Sequence, residues 1–393
     1  MSASASKARL IPAAILAILV YGMIAAMLGT LLPQLSARLS LSPEQNSVLA
    51  LVQALGLSVA SISAGPLIDN RGKKTGMVLG LAIITLSLFV LPNVPGVALL
   101  TACWFALGFG GGIIVTAANA LVSDISADRR ASVLNLLNLF FGLGLMSTPF
   151  IAANVVSGDA IKLCYLTAVL TAIALVLNAT APIPGPTGAR GFRLSEVNEI
   201  LGRPALYMLA LLLFLYVACE VGFSTWLARH LIAQGMPEKT ALNILFGFAL
   251  GILIGRVVVS PILIKVPSKT VTLASAMLMS ITTYVAIQTS DVTVAAVAVF
   301  CAGLAMAPVF PTTLAMVGDA FPKATATAMG IVITSGWIGL AISAPIIGAI
   351  AGTDPRRLQT ALLLFPAASV LMIIVNVVMR PMLARRATGL DVI

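Results

Sequence analysis

Twelve continuous apolar runs, each close to the length needed to cross a bilayer, follow one another along this chain with short polar joints between them. Crossing ~30 Å of hydrocarbon takes about 20 apolar residues in a helix, and only a helix or a closed barrel satisfies its own backbone there. The runs do not alternate apolar with polar, which excludes a membrane barrel. They predict helices near residues 11–34, 46–68, 75–92, 97–123, 131–154, 161–183, 205–229, 240–264, 270–288, 292–317, 324–351 and 358–380. Of 393 residues, 60% are hydrophobic and only 9% charged, whereas a soluble domain carries about 25% charged residues. A soluble enzyme, a nucleic-acid-binding module and a disordered chain are thereby excluded. The fold class is an all-α polytopic membrane protein in contact with lipid.

The formal charge of +10 is a topology signal rather than a nucleic-acid footprint. With both termini placed in the cytoplasm, the inner segments carry Lys7, Arg9, Arg71, Lys73, Lys74, Arg129, Arg130, Arg190, Arg193, Arg203, Lys265, Lys269, Lys323, Arg380, Arg385 and Arg386. The outer segments hold only Arg38, Lys162, Arg229, Lys239, Arg356 and Arg357. That bias follows the positive-inside rule and requires an even number of crossings. The run after Lys7 and Arg9 is too long for a signal-peptide core, so the first span is expected to stay as an anchor in the cell (inner) membrane. Residues 184–203, PGPTGARGFRLSEVNEILGR, open on Pro and Gly and read as a cytoplasmic linker with a short surface helix at 194–201. The linker divides the chain into a six-helix bundle over 1–183 and another over 204–393.

The two halves repeat. A shift of 195 residues lays Pro66 on Pro261, Lys74 on Lys269 and Thr75 on Thr270. The same shift pairs Tyr21 with Tyr216, Gly56 with Gly251, Gly108 with Gly303, Asp124 with Asp319 and Gly144 with Gly339. Two like-oriented halves are what a parallel repeat about an axis along the membrane normal gives, and such a design places a solute site near the bilayer midplane with alternating access.

Between the second and third spans, Gly65-Pro66-Leu67-Ile68-Asp69-Asn70-Arg71-Gly72-Lys73-Lys74 resembles the major facilitator superfamily signature G-x-L-x-D-x-x-G-R/K-R/K. With twelve spans, a central linker and the repeat, the resemblance covers the whole chain. It implies a secondary transporter and not an enzyme, working as a monomer. In that superfamily the signature's Asp braces the start of the eleventh helix. An anion there gains from the helix macrodipole, which places Asp69 near residues 323–326. Arg71 belongs to the same motif, and Asp124 and Asp319 are expected in the same gate network through Arg129, Arg130 or Lys323.

Further stretches resemble the fucose:proton symporter family and its sugar-transporting relatives. They are Leu134-Asn135-Leu136-Leu137-Asn138 through Gly142, Gly144 and Pro149, and Gly303 through Pro308, Pro311 and Thr312 followed by Gly330, Gly339 and Pro345. The segment Tyr216 to Trp226 also fits. One departure matters. The fucose permease carries acids in its first and fourth helices, and here span one, and span four before Asp124, contain none. Cys103-Trp104 also stand where an early Arg is frequent in the superfamily. Proton coupling is therefore not inherited from the resemblance.

It has to be argued from the polar residues within the spans. Glu220 is the one acid well inside a span, costly there unless it serves a purpose. It is the candidate proton site and a candidate solute acceptor, against the plainer alternative of a neutral Glu bonded to a neighbouring helix. Tyr216 and Ser224 lie four residues to either side and share its face, and Tyr21 is the repeat partner of Tyr216. Gln53, Asn119, Asn138, Asn243 and Trp337 complete the expected solute lining, together with Thr334 as a weaker candidate. Amides offer both donors and acceptors and an aromatic ring offers a face for sugar C–H groups, so the set suits a neutral polyhydroxylated solute. Asn, Ser and Thr also bond helix to helix in membranes, which is the competing explanation for each. Trp226 reads equally as an interfacial anchor. Arg256 is the one base inside a span, some ~10 Å from Glu220 in depth by helical rise, which disfavours a direct pair although a water-filled cavity could link the two. It is either a gate charge partnered by an acid such as Asp319 or a cavity-lining residue.

Cys103, Cys164, Cys219 and Cys301 sit in apolar runs as core residues. His230 is the sole histidine. No metal site, no cofactor and no nucleophile–base pair is assembled from these. The expected partners are a small-molecule substrate, most simply a sugar, with a coupling proton or else sodium. A proton-driven drug or metabolite exporter of the same superfamily is the alternative, and a receptor that moves nothing is a third.

Overall fold

The computed structural model describes residues 3–183, 185, 194–352 and 355–384. Residues 184 and 186–193 of the expected linker, with Arg190 and Arg193, and the tail residues Arg385 and Arg386 lie outside the described residues. The helices are α1 (Ala3–Leu39), α2 (Pro43–Arg71), α3 (Lys73–Val90), α4 (Val97–Ile125), α5 (Arg130–Asn154), α6 (Ala160–Thr180), α7 (Leu194–Leu201), α8 (Pro204–Ala233), α9 (Glu238–Lys265), α10 (Ser268–Gln288), α11 (Val292–Met306), α12 (Val309–Ala320), α13 (Thr325–Ala351), α14 (Pro355–Leu362) and α15 (Leu364–Ala384). Among the described residues, 12 stretches of helix are long and apolar enough to cross a membrane, at 21 to 30 residues each.

Local chemistry sets the joints. Ser42 opens α2 with a reciprocal cap, its hydroxyl accepting from the Gln45 N–H while the Gln45 side chain accepts from the Ser42 N–H. Gly72 closes α2 at φ 94, a backbone angle that side chains resist, and its N–H returns to the Ile68 carbonyl at 2.8 Å. That is the physical role of the glycine in the signature. The tenth expected span is broken into α11 and α12 because Pro308 supplies no N–H to continue the ladder. Pro366 acts likewise near the start of α15, leaving α14 as a separate short helix ahead of it. The short surface helix expected at 194–201 is α7.

By their packing the helices fall into two compact units. The first is Met1–Ala127, Leu137–Asn198 and Phe321–Thr334, and the second is Asp128–Leu136, Glu199–Ala320 and Ser335–Ile393. In this grouping the start of α5 belongs to the second unit and the start of α13 to the first.

Inside each unit the repeat has a concrete basis in backbone contact. A Cβ on Gly108 would overlap the Gln53 carbonyl, and one on Gly303 would overlap the carbonyl of Phe248, the residue 195 positions on from Gln53. Gly56 against the Phe105 carbonyl is matched by Gly251 against Phe300, and Gly144 against Leu19 by Gly339 against Phe214. Lipid tails are as apolar as leucine, so helices associate in a membrane through close packing at small residues. The repeated glycines mark where α2 meets α4, α9 meets α11, α1 meets α5, and α8 meets α13.

Candidate functional site

Four clusters of polar residues are built on these helices, two in each unit. At one end of the first unit, the Asp69 carboxylate accepts from the N–H of Ala326 at 3.2 Å, the N–H of Thr327 at 2.8 Å and the Thr327 hydroxyl at 2.8 Å. Those N–H groups belong to the first turn of α13 and have no partner within the helix. Asp69, 8% exposed, is thus a cap supplied from another helix, at the positive end of the α13 dipole. The contact is close because Gly65 and Gly330 carry no side chains. A Cβ on Gly65 would sit 2.6 Å from the Thr327 Cα, and one on Gly330 would overlap the Ser61 carbonyl. Lys73 lies beside Asp69 and pairs with Asp124 at 2.8 Å, the two side chains 5% and 17% exposed. Asp124 therefore pairs with a lysine of the signature itself and not with Arg129, Arg130 or Lys323, because α3 and α4 pack directly together. The Arg71 side chain is exposed and takes part in none of the ion pairs found among the described residues.

Deeper in the first unit, Asn138 Nδ2 donates to Asn119 Oδ1 at 3.3 Å, and Asn119 Nδ2 donates to the Val115 carbonyl at 2.8 Å. Tyr21 is buried with its ring over Gly111, where any Cβ would overlap it, and 5.7 Å from the Phe141 ring. Gln53 is 8% exposed on α2. Thr334 donates to the Ser58 carbonyl at 3.3 Å and to its own helix at Gly330. Trp104 is wholly buried, and its indole N–H has no partner.

In the second unit Glu220 stands sixteen residues into α8, about 24 Å from its start by helical rise. It is half-buried, while Tyr216, one turn earlier, is fully buried. The Arg256 guanidinium of α9 and the Tyr216 hydroxyl, one turn earlier on α8, are the groups whose influence on the Glu220 carboxyl stands out. Arg256 is itself 7% exposed. Asn135, at the start of α5, donates from Nδ2 to the Arg256 carbonyl at 2.6 Å and to Ser260 Oγ at 2.9 Å. Asp319 pairs with Arg130, its side chain 63% exposed.

Of the remaining candidates, Ser224 turns its hydroxyl to the Val221 carbonyl of its own helix at 3.0 Å. Asn243 is exposed, and Trp337 is half-buried. Trp226 lies against Gly348 with the Arg229 guanidinium 5.2 Å above its ring. His230 is buried with Nε2 at 2.9 Å from the Ile287 carbonyl. Among the described residues no group of three or more His, Cys, Asp or Glu gathers as for a metal. Of the residues in these clusters, Asn135, Ser260, Lys73 and Thr327 carry no site role in the sequence reading, where Asn135 and Lys73 stand only as members of motifs. The shift of 195 sets Asn135 opposite Gly330 and sets Arg256 opposite Ser61.

Comparison with known proteins agrees with this architecture. The family model described as Major Facilitator Superfamily matches residues 14–247 and 234–389. The chain is 23% identical over 381 residues to the "Bypass of stop codon protein 6" of Saccharomyces cerevisiae, covering 87% of this chain and 76% of that protein. It is 30% identical over 124 residues to the "Bicyclomycin resistance protein homolog" of Haemophilus influenzae, 31% of each chain. Among solved structures, the E. coli fucose:proton symporter superposes with a TM-score of 0.82 at 18% identity, over 94% of this chain and 99% of that one, which is a likeness of fold.

Proposed function

From a chain that belongs to the Major Facilitator Superfamily, we infer a secondary transporter that carries a small neutral polyhydroxylated solute, a sugar, together with a proton. Transport proceeds by alternating access across the cell membrane, both termini lying in the cytoplasm. The protein is a transporter and not an enzyme.

The observation that carries the reading is Glu220, a half-buried carboxyl at mid-helix with a guanidinium and a phenol bearing on it. A carboxylate at that depth costs about 2.5–3.5 kcal/mol on insertion scales. A group that takes up and releases a proton offsets this cost in one form and uses it in the other. The sugar assignment draws support from the Asn119–Asn138 amide pair, with Tyr21 and Gln53 in the same unit, and from the fold shared with a fucose:proton symporter. Asp69, Asp124 and Asp319, each tied to a partner near a helix end, serve closure rather than solute binding.

The test is uptake of L-fucose and a panel of other monosaccharides into proteoliposomes with and without an imposed pH gradient. Accumulation above equilibrium is expected only with the gradient, and Glu220→Gln should retain exchange while losing accumulation. Full accumulation by Glu220→Gln would remove the proton role. The second reading, a proton-driven exporter, is favoured by the local match to a bicyclomycin resistance homolog. It would show as extrusion of lipophilic solutes with no response to sugars.

A further inference from the structure

The helix that carries Arg256 does not by itself fix where that residue sits. Pro261 lies inside α9 and leaves the Val257 carbonyl without its helical donor. Ser260 bonds back to the Arg256 carbonyl at 2.8 Å, a contact that loosens and bends helices. The turn after Arg256 is pliable for both reasons. Asn135 enters at this turn from α5. It is completely buried, and its one amide group bonds both the Arg256 carbonyl and Ser260 Oγ.

The equivalent place in the first unit shows what the amide replaces. There α2 carries Pro66, and Gly330 rests directly on the Ser61 carbonyl while Asp69 caps α13. In the second unit Gly330 becomes Asn135, Ser61 becomes Arg256 and Asp69 becomes Ile264. With no carboxylate to hold the helices, a buried amide holds them at the residue whose guanidinium bears on Glu220.

We propose that Asn135 is a positioning residue for the proton site: by gripping the Arg256 turn of α9 it sets how far the guanidinium stands from the Glu220 carboxyl. The proposal rests on the reading of Glu220 as the group that exchanges a proton. The groups acting on Glu220 are Arg256 from α9 and Tyr216 from its own helix. The other elements packed against α8 carry Asp319 on α12, Arg356 and Arg357 on α14, and Arg380 on α15, while residues 335–351 of α13 carry no titratable group.

Infrared difference spectra of the full-length protein in lipid, recorded across a pH series without solute, isolate the carboxyl band that Glu220→Gln abolishes. The titration midpoint of that band is compared among the parent, Asn135→Gly, Asn135→Ala, Arg256→Gln and Asn135→Ala/Arg256→Gln. Asn135→Gly imitates the first unit, and Asn135→Ala keeps helix propensity if the glycine variant does not fold. Both should move the midpoint in the direction that Arg256→Gln moves it, but less far. The shift should be about half a pH unit, as for a unit charge receding from about 6 to about 8 Å at an effective dielectric near 20. In the Arg256→Gln background the asparagine substitution should move nothing further. An unmoved midpoint in the asparagine variants, or equal shifts with and without Arg256, would reduce Asn135 to a packing contact and overturn the proposal. An unmoved midpoint in Arg256→Gln overturns it as well. If Glu220→Gln abolishes no band, the proton-site reading itself falls, and the proposal with it.

Discussion

The chain builds one junction twice and holds it by different chemistry each time. Where α2 meets the start of α13, a carboxylate caps a helix and glycines bring backbones into contact. Where α9 meets the start of α5, the repeat-related positions offer a neutral asparagine on a main-chain carbonyl and an isoleucine in place of the acid. The acids that do repeat have also diverged in setting. Asp124 pairs with Lys73 in near-complete burial, while its mate Asp319 pairs with Arg130 with most of its side chain exposed. A repeat preserves the path of the backbone far more strictly than the interactions that secure it. The first junction is held by charge and by the absence of side chains, the second by a single amide.

Substitutions that break this comparison should do so unequally. Lys73→Gln leaves Asp124 as a buried charge without its partner and should cost about 3–5 kcal/mol. The loss should be read as a lower unfolding midpoint with a thiol-reactive dye, since Cys103, Cys164 and Cys219 are buried. Adding Asp124→Asn should recover most of it, because neutral partners need no compensation. Asp69→Ala removes three bonds to the start of α13, two of them from N–H groups the helix cannot satisfy. It should cost about 2–3 kcal/mol, within the range for hydrogen bonds to a charged group, and suppress solute uptake. Arg130→Gln leaves behind an Asp319 carboxylate that is 63% exposed and keeps its water, and should cost no more than about 1 kcal/mol. If Arg130→Gln proved as damaging as Lys73→Gln, the contrast between the two acids would collapse.

The smallest effect is expected outside both junctions, at Asp159. It caps α6 by accepting from the N–H groups of Ile161 and Lys162. The Lys162 N–H foremost, and the nearby Lys162 charge, hold its carboxyl below the usual range although the site is open to water. A lowered carboxyl contributes stability that is present above its unfolded value near 3.9 and lost as the pH falls through the folded value. Asp159→Ala should therefore lower the unfolding midpoint slightly at neutral pH and have no effect once the pH is below that range.

Much of this was legible in the residues. The twelve runs, the glycine at the α2–α3 joint and the shift of 195 were visible because each depends on patterns within one segment or on a constant spacing. Asp69 was placed near the start of the eleventh span through a family likeness, and it lies on Ala326 and Thr327. The partners of Asp124 and Arg256 were not legible, since several cations or acids were equally near in sequence and only packing chooses among them. The role of Asn135 is not legible from the repeat, because its partner 195 positions on is Gly330, and a side chain there does the work of bare backbone.

The sequence by itself determined that the protein spans a membrane many times with two like halves, because solvation of the backbone in hydrocarbon permits little else for such runs. The tertiary structure alone decided which polar groups meet: Asp69 and Thr327 are 258 positions apart, and Asn135 and Arg256 are 121. Contacts at that range are fixed by how helices seat against one another to the nearest ångström. That seating is set by the summed shape of many side chains, which no local pattern encodes.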